Sequence, residues 1–173
     1  MYPSQHFIFG LIFSAILFFI FPKIGFLESS IILASTVLID VDHYLYYVYK
    51  KKDFSLTRAR KWFFKNRDIY LGQIPAFQKE NIYGGICFLH GIEFILLLAI
   101  LSFFVNIFIF ILIGFFFHQI LDLIEMYSFS LYPHKIISFF YSINYTKHKK
   151  LPEEYILWQK KGNQKKQQRK KAR

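Results

Sequence analysis

The longest apolar stretch of the chain, from Ile86 to Tyr127, limits its possible folds more than any other feature. It is about twice the ~20 residues that a helix needs to cross a bilayer. Asn106, near its middle, is a suitable position for a turn between two helices. We therefore predict two membrane-spanning helices here, at about residues 86–105 and 107–127.

Two further apolar segments precede this stretch. The first, at about residues 6–27, is close to the length of a membrane span. The second, at about residues 29–49, is apolar only as far as Ile39, after which carboxylates and a histidine enter it. The sequence therefore predicts an all-α, polytopic membrane protein with a four-transmembrane-helix bundle in residues 1–128.

Basic residues are concentrated in two segments outside the predicted spans. The loop at residues 50–85 and the tail at residues 129–173 together hold 21 of the 22 Lys and Arg residues. Because Lys and Arg in short loops stay on the cytoplasmic side, we predict that both termini and the loop are cytoplasmic. The protein is then a multi-pass protein of the inner, or cytoplasmic, membrane. We expect the end of the tail to be disordered.

The loop mixes cations with aromatic residues, most clearly from Leu56 to Lys65. An amphipathic helix of this composition either lies on anionic lipid headgroups or covers the bundle as a solvated helix, and both interpretations stay open. Membrane lipids are the expected partners, with anionic headgroups contacting the loop and the tail. For the tail, a positive anchor is favoured over specific nucleic-acid binding.

Ionisable side chains occur in all four predicted spans, at the ends that should share one membrane face. They are His6; Asp40, Asp42 and His43; His90 and Glu93; and His118 and Asp122. Counting ~1.5 Å of rise per residue from the outer end of each helix places all four sets at a similar depth, in the cytoplasmic half of the bilayer. Ionisable groups within apolar helices are costly and normally face the bundle interior, so this coincidence indicates a functional site.

The spacing and the types of these residues predict a metal site. Three pairs are three or four residues apart and so stack on one side of their helix: Asp40 with His43, His90 with Glu93, and His118 with Asp122. Imidazole and carboxylate ligands suit zinc, which is the first candidate, and also manganese and iron. There are more of them than one tetrahedral ion needs, which suggests a site for two ions. The predicted metal ligands are His6, Asp40, Asp42, His43, His90, His118 and Asp122.

Two carboxylates are predicted to be catalytic, because either could accept a proton from water. They are Glu93, a ligand or a base, and Asp42. Cys87 is the single cysteine of the chain, and we interpret it as a reduced structural thiol. His134 and His148 lie outside the predicted spans among basic residues, and we interpret them as surface groups.

A series of short motifs runs from His6 to about residue 135. They are the early His6, the run Leu38-Ile-Asp40-Val-Asp42-His43, a histidine at the start of the third span, Gly114-Phe-Phe-Phe-His118-Gln-Ile-Leu-Asp122, and Tyr132-Pro133. The series resembles the motif pattern of the YdjM-type inner-membrane metal-dependent hydrolases. Ile39 stands where that family has proline, and the segment Phe88-Leu-His90-Gly-Ile-Glu93 lacks the family's further upstream histidine and its serine. The resemblance implies a polytopic hydrolase with a site like those of zinc-dependent phospholipases C.

Three functions are compatible with this pattern. The first is a membrane-embedded metal-dependent hydrolase that acts on a phosphoester or lipid-like substrate at the cytoplasmic face. The second is a metal or proton transporter in which the same residues form a relay, although Ser14 and Ser35 are the only obvious polar steps in the outer halves of the spans. The third, a non-enzymatic membrane adaptor that uses its basic surface, leaves the ionisable residues without a role.

Overall fold

The computed structural model describes residues 3–75, 78–79, 82–83, 85, 87–128, 138–147 and 149–171. Within these residues the chain is all-helical, and the only β-type pairing is an isolated parallel bridge between Ile82 and Lys150. The chain divides into two compact units. The first is Met1–Tyr46 with Ile86–Ser142, and the second is Tyr47–Gly85 with Ile143–Arg173.

Eight helices and one π-helical turn occur in the described part of the chain. They are α1 (Pro3–Ile20), α2 (Phe26–Leu38), α3 (Val41–Lys51), α4 (Leu56–Asp68), the π turn (Ile69–Gln73), α5 (Ile92–Ser102), α6 (Ile107–Ser128), α7 (Phe139–Thr146) and α8 (Pro152–Lys171). Residues 132–134 and His148 lie outside the described residues, and with them the Tyr132-Pro133 motif and the two predicted surface histidines.

Three helical segments are long and apolar enough to cross a membrane: Pro3–Ile20, Phe26–Lys51 and Ile107–Ser128. They overlap the first, second and fourth predicted spans. The helix in the predicted third span, α5, is apolar but has only 11 residues. It is therefore only ~16 Å long, about half the thickness of a hydrocarbon core.

The shortness of α5 has a local cause. Gly91 is the N-cap residue of the helix. Ahead of it, the backbone N–H of Leu89 donates a hydrogen bond of 3.0 Å to Asp42 Oδ2. This donor is satisfied by a side chain of α3, so residues 87–91 remain outside the helix. The predicted span from residue 86 therefore begins as a helix only at Ile92.

Two residues, Ile39 and Asp40, interrupt the second span between α2 and α3. In a regular helix, residues two apart are rotated by ~200° about the axis, so Asp40 and Asp42 would point to nearly opposite sides. With the interruption, both carboxylates approach His90. The break in the helix therefore allows two neighbouring carboxylates to reach one site.

Small residues bring α1, α2 and α6 close together. A Cβ on Gly10 of α1 would lie only 3.0 Å from Thr36 Cγ2, and a Cβ on Gly114 of α6 would overlap atoms of α2. Thr36 Oγ1 donates a 3.3 Å hydrogen bond to the carbonyl oxygen of Gly114. This approach brings the backbone of α2 within reach of His118, one turn further along α6.

The outer surface of the first unit is strongly apolar. Phe19, Phe26 and Phe103 are 82%, 81% and 87% exposed, whereas Ile39, Leu98 and Phe115 form a buried core. Soluble monomeric proteins rarely expose large contiguous apolar patches. Together with the three long apolar helices, this surface indicates a membrane protein.

The second unit is organised by Glu153 near the start of α8. Glu153 Oε1 accepts hydrogen bonds from Trp62 Nε1 at 2.8 Å and from Lys51 Nζ at 2.5 Å, and its backbone N–H donates to Asn66 Oδ1. Burial raises the pKa of Glu153, but the Lys51 ammonium and the Trp62 indole outweigh it and hold the pKa below its ordinary value. These contacts join the predicted loop to the predicted tail within one unit, although the sequence places the loop with the bundle.

The tail is more ordered than the sequence predicts. Disorder is expected at its end, but Pro152–Lys171 is a helix of 20 residues. Pro152 occupies the first helical position, where its missing N–H costs nothing, and Glu153 and Glu154 complement the positive end of the helix dipole. The Gln and Lys residues that follow are good helix formers.

Candidate metal centre

Two histidines from different segments of the first unit face each other. His118 lies within α6, and His90 lies in the short segment before α5. Their Nε2 atoms are 3.2 Å apart. Both side chains are at most 1% exposed. The pair lies at the centre of a cluster of histidine and aspartate side chains.

The second ring nitrogen of each histidine is held by an acceptor. His118 Nδ1 lies 2.8 Å from the carbonyl oxygen of Thr36, and His90 Nδ1 lies 3.0 Å from Asp42 Oδ2. A carbonyl oxygen and a carboxylate can only accept, so each Nδ1 carries the proton. In the neutral rings both Nε2 atoms are then unprotonated, which is the arrangement found in metal-binding histidines whose other nitrogen is oriented by a carboxylate or carbonyl.

This arrangement requires a positive charge, either a proton on one of the two Nε2 atoms or a cation bound between them. Two neutral imidazoles would point their Nε2 lone pairs at each other across 3.2 Å. Such a contact is repulsive unless one ring is protonated or a cation lies between them. A divalent ion satisfies both nitrogens at once.

Two carboxylates complete the surroundings of the pair. Asp40 Oδ1 lies 3.7 Å from both Nε2 atoms. Asp122 Oδ2 lies 3.6 Å from His90 Nε2 and 3.5 Å from His118 Nε2. Around a tetrahedral zinc ion with bonds of ~2.0–2.2 Å, neighbouring ligand atoms are ~3.3–3.6 Å apart. These five of the six separations among the four donors are close to this value, as expected for ligands of one ion.

Two more histidines adjoin the carboxylates. His6 stacks on His118 with ring centroids 3.9 Å apart, and its Nε2 lies 3.3 Å from Asp122 Oδ1. His43 Nε2 lies 3.5 Å from Asp40 Oδ1. Possible ligand atoms of His6, His118 and Asp122 lie within 4.8 Å of one another, as do those of the group Asp40, His90 and His118.

Several buried polar atoms of the cluster have no hydrogen-bond partner within the described ranges. They are His6 Nδ1, Asp40 Oδ2 and Asp42 Oδ1. A buried polar atom left unpaired costs free energy, typically ~1–3 kcal/mol, and each such group calls for an explanation. A bound cation would provide a partner for nitrogen and carboxylate atoms together.

The structure brings together all seven predicted metal ligands, from His6 to Asp122, whereas Glu93 has other partners. One carboxylate oxygen of Glu93 accepts a hydrogen bond from Ser138 Oγ, and the other accepts one of 2.9 Å from the backbone N–H of Phe139. These contacts tie Glu93 to the first turn of α7. The predicted role of Glu93 as ligand or base therefore has no supporting contact with the cluster among the described residues.

Three contributors to the cluster were not predicted from the sequence. They are Cys87, whose Sγ lies 3.1 Å from His43 Nδ1; Thr36, which orients His118; and Gln119, whose Nε2 donates to the carbonyl oxygen of His90 at 2.9 Å. For Cys87 the sequence did hold a usable signal. Its thiol and the imidazole of His90 are separated by two residues, and short spacings of this kind are common between zinc ligands. No comparable signal pointed to a backbone carbonyl.

No family model, curated protein or solved structure matches the chain. The chemistry of the cluster is therefore the basis on which a function can be inferred. Buried His, Asp and Cys groups of this kind could hold a metal ion. Imidazole and carboxylate donors suit zinc, manganese and iron alike.

Proposed function

We propose that this chain is a membrane-embedded metal-dependent hydrolase. Its ion, for which zinc is the first candidate, is held by His90, His118, Asp40 and Asp122. The observation that supports this most directly is the 3.2 Å approach of two Nε2 atoms whose rings are both fixed through Nδ1. Neither an apolar core nor a surface ion pair needs that arrangement. Acidic and neutral donors in one buried cluster are what a divalent cation requires.

The reaction we propose is hydrolysis of a phosphoester or lipid-like substrate. A divalent ion would supply Lewis-acid polarisation of an ester oxygen and of water. The chain's own residues would hold the geometry: Thr36 and Asp42 fix the two imidazoles. Asp42 also retains a buried oxygen, Oδ1, that has no hydrogen-bond partner among the described residues and could accept a proton from water. Of the two predicted catalytic residues, Asp42 is therefore the better supported.

The membrane setting supports a lipid-like substrate. The cluster lies among helices with strongly exposed apolar side chains, so lipid acyl chains would lie against the same helices that carry the cluster. The resemblance to the YdjM-type hydrolases implies a site like those of zinc-dependent phospholipases C, although it says little about the substrate itself. In this proposal the chain lies in the cytoplasmic membrane with both termini inside, and α5 is the core of the third of its four spans. Anionic headgroups contact the basic loop and tail.

Transport of a metal or a proton is the alternative function. A relay across the membrane needs polar side chains beyond the cluster. Ser14 Oγ donates to the carbonyl oxygen of Leu11, and Ser35 Oγ donates to that of Ile31, so both hydroxyls are engaged with their own helices. This favours a closed catalytic site over a transport path.

Hydrolysis can be tested with the purified full chain in detergent, using a chromogenic phosphodiester and a short-chain phospholipid as substrates. We expect a chelator to abolish turnover and zinc to restore it, because the ligands act only through the ion. The Asp122→Asn variant should be inactive. Glu93→Gln is the matched control, and it should retain its zinc and turnover within about threefold, since Glu93 contacts α7 and not the cluster.

Two results of this assay would change the account. Chelator-resistant turnover, or no turnover on either substrate by fully zinc-loaded protein, would contradict the proposed hydrolase. Collapse of turnover in Glu93→Gln with full zinc content would make Glu93 the base that the sequence predicts.

A further inference from the structure

The thiol of Cys87 lies in a second group of possible metal ligands. Its Sγ is 3.1 Å from His43 Nδ1 and 3.9 Å from His43 Nε2. Possible ligand atoms of Asp42, His43, Cys87 and His90 all lie within 4.8 Å of one another. Cys87 is only 1% exposed, although it belongs to a non-helical segment. A structural thiol needs no such neighbours.

A second observation also points to a ligand at this position. Asp42 is 2% exposed, and its Oδ1 atom has no hydrogen-bond partner within the residues that the structure describes. Its other oxygen, Oδ2, is occupied by His90 Nδ1 and the N–H of Leu89. One buried carboxylate oxygen therefore remains in a group that also contains an imidazole and a thiol.

The donor chemistry selects a particular class of ion. Thiolate, imidazole and carboxylate together are typical of zinc and other borderline-soft divalent ions, whereas manganese and magnesium prefer oxygen ligands. Around zinc, a sulfur and a nitrogen ligand are ~3.6 Å apart, from bonds of ~2.3 and ~2.0 Å. The two distances from Cys87 Sγ to the His43 ring lie on either side of this value.

We propose that Asp42, His43 and Cys87 form a second, thiolate-containing subsite for a zinc-like ion beside the principal centre. This deepens the proposed function and rests on it, because Asp42 would connect the two centres: Oδ2 orients His90, and Oδ1 ligates the second ion instead of accepting a proton from water. Binding converts the thiol to a thiolate, and its proton is released to solvent. The two negative ligands then balance the charge of the ion.

Cobalt(II) is a suitable probe, because a thiolate ligand gives an intense charge-transfer band in the near ultraviolet, whereas nitrogen and oxygen ligands give only weaker visible bands. We would titrate metal-depleted full-length protein in detergent with Co²⁺ alone. The wild type should show both sets of bands. In Cys87→Ser the near-ultraviolet band should fall by at least ~10-fold while the visible bands of the principal centre remain. Cys87→Ala provides a second variant of different polarity.

Labelling of the thiol gives an independent readout. Zinc should slow the reaction of Cys87 with a maleimide by about tenfold or more, because a ligated thiolate is protected. Visible cobalt bands without a charge-transfer band, or labelling of the metal-free protein that zinc does not slow, would overturn the subsite and leave the principal centre intact. Absence of all cobalt bands would overturn the principal centre as well.

Discussion

Replacing His118 with Ala is expected to lower the affinity of the protein for zinc by roughly 100-fold or more. Loss of a residue that merely orients a ligand typically costs about 10- to 100-fold, and loss of a ligand should cost at least as much. His118 contributes to both contact groups of the principal centre, with Asp40 and His90 and with His6 and Asp122. Competition with a chromogenic zinc chelator would give the affinity.

A matched control and a milder variant keep this prediction decisive. Phe116→Ala truncates a 57% exposed side chain two residues away on α6, so it should leave zinc affinity unchanged. Asp122→Asn keeps the size of the side chain and removes its charge, and it should also lose most of the affinity. If His118→Ala and Asp122→Asn both fold and bind zinc as tightly as the wild type, the cluster is a structural charge network.

Replacing Asp42 with Asn is expected to lower zinc affinity by about 10- to 100-fold without removing a ligand of the principal centre. Asp42 accepts hydrogen bonds from His90 Nδ1 and from the N–H of Leu89. Both bonds end on the same oxygen, Oδ2, and the neutral amide oxygen of asparagine is a weaker acceptor for them than a carboxylate oxygen. His90 is then held less firmly in the orientation that directs an unprotonated Nε2 at the centre.

The measurement is made in the Cys87→Ser background, so that a second subsite cannot contribute to the affinity. Asp68→Asn is the control, since Asp68 is an exposed acid of the second unit and the chemical change is identical. Equal affinities for the Asp42 and Asp68 variants would show that the contact between Asp42 and His90 does not orient a metal ligand.

The convergence of the ionisable residues was predictable because it depends on helix length and direction alone. Apolar segments of span length must alternate in direction, which places the start of α1 near the ends of α2 and α6. The similar depth of His6, Asp40 and His118 in the bilayer was therefore enough to group them before the packing of the helices was known. Hydrophobic patterning also gave the three long helices, with ends within about three residues of the predicted limits except at the end of the first, where the helix ends at Ile20 and the prediction was residue 27.

The details of the cluster depend on interactions that periodicity does not reveal. The non-helical segment before α5 is held by one carboxylate, Asp42, which accepts hydrogen bonds from a backbone N–H and from His90. Glu93 has the spacing of a partner for His90 but instead contacts the first turn of α7, a segment distant in sequence. The position of Cys87 beside His43 follows from that same local geometry.

The zinc content of the wild-type protein tests the central claim most directly. The full chain would be purified in detergent, loaded with zinc, dialysed against metal-free buffer and measured by elemental analysis beside His118→Ala. The account predicts that the wild type retains at least one zinc ion per chain, because imidazole and carboxylate ligands are preorganised in a buried cluster, and that the variant retains little. A wild-type protein that retains no more zinc than His118→Ala would contradict the metal centre and the function proposed from it.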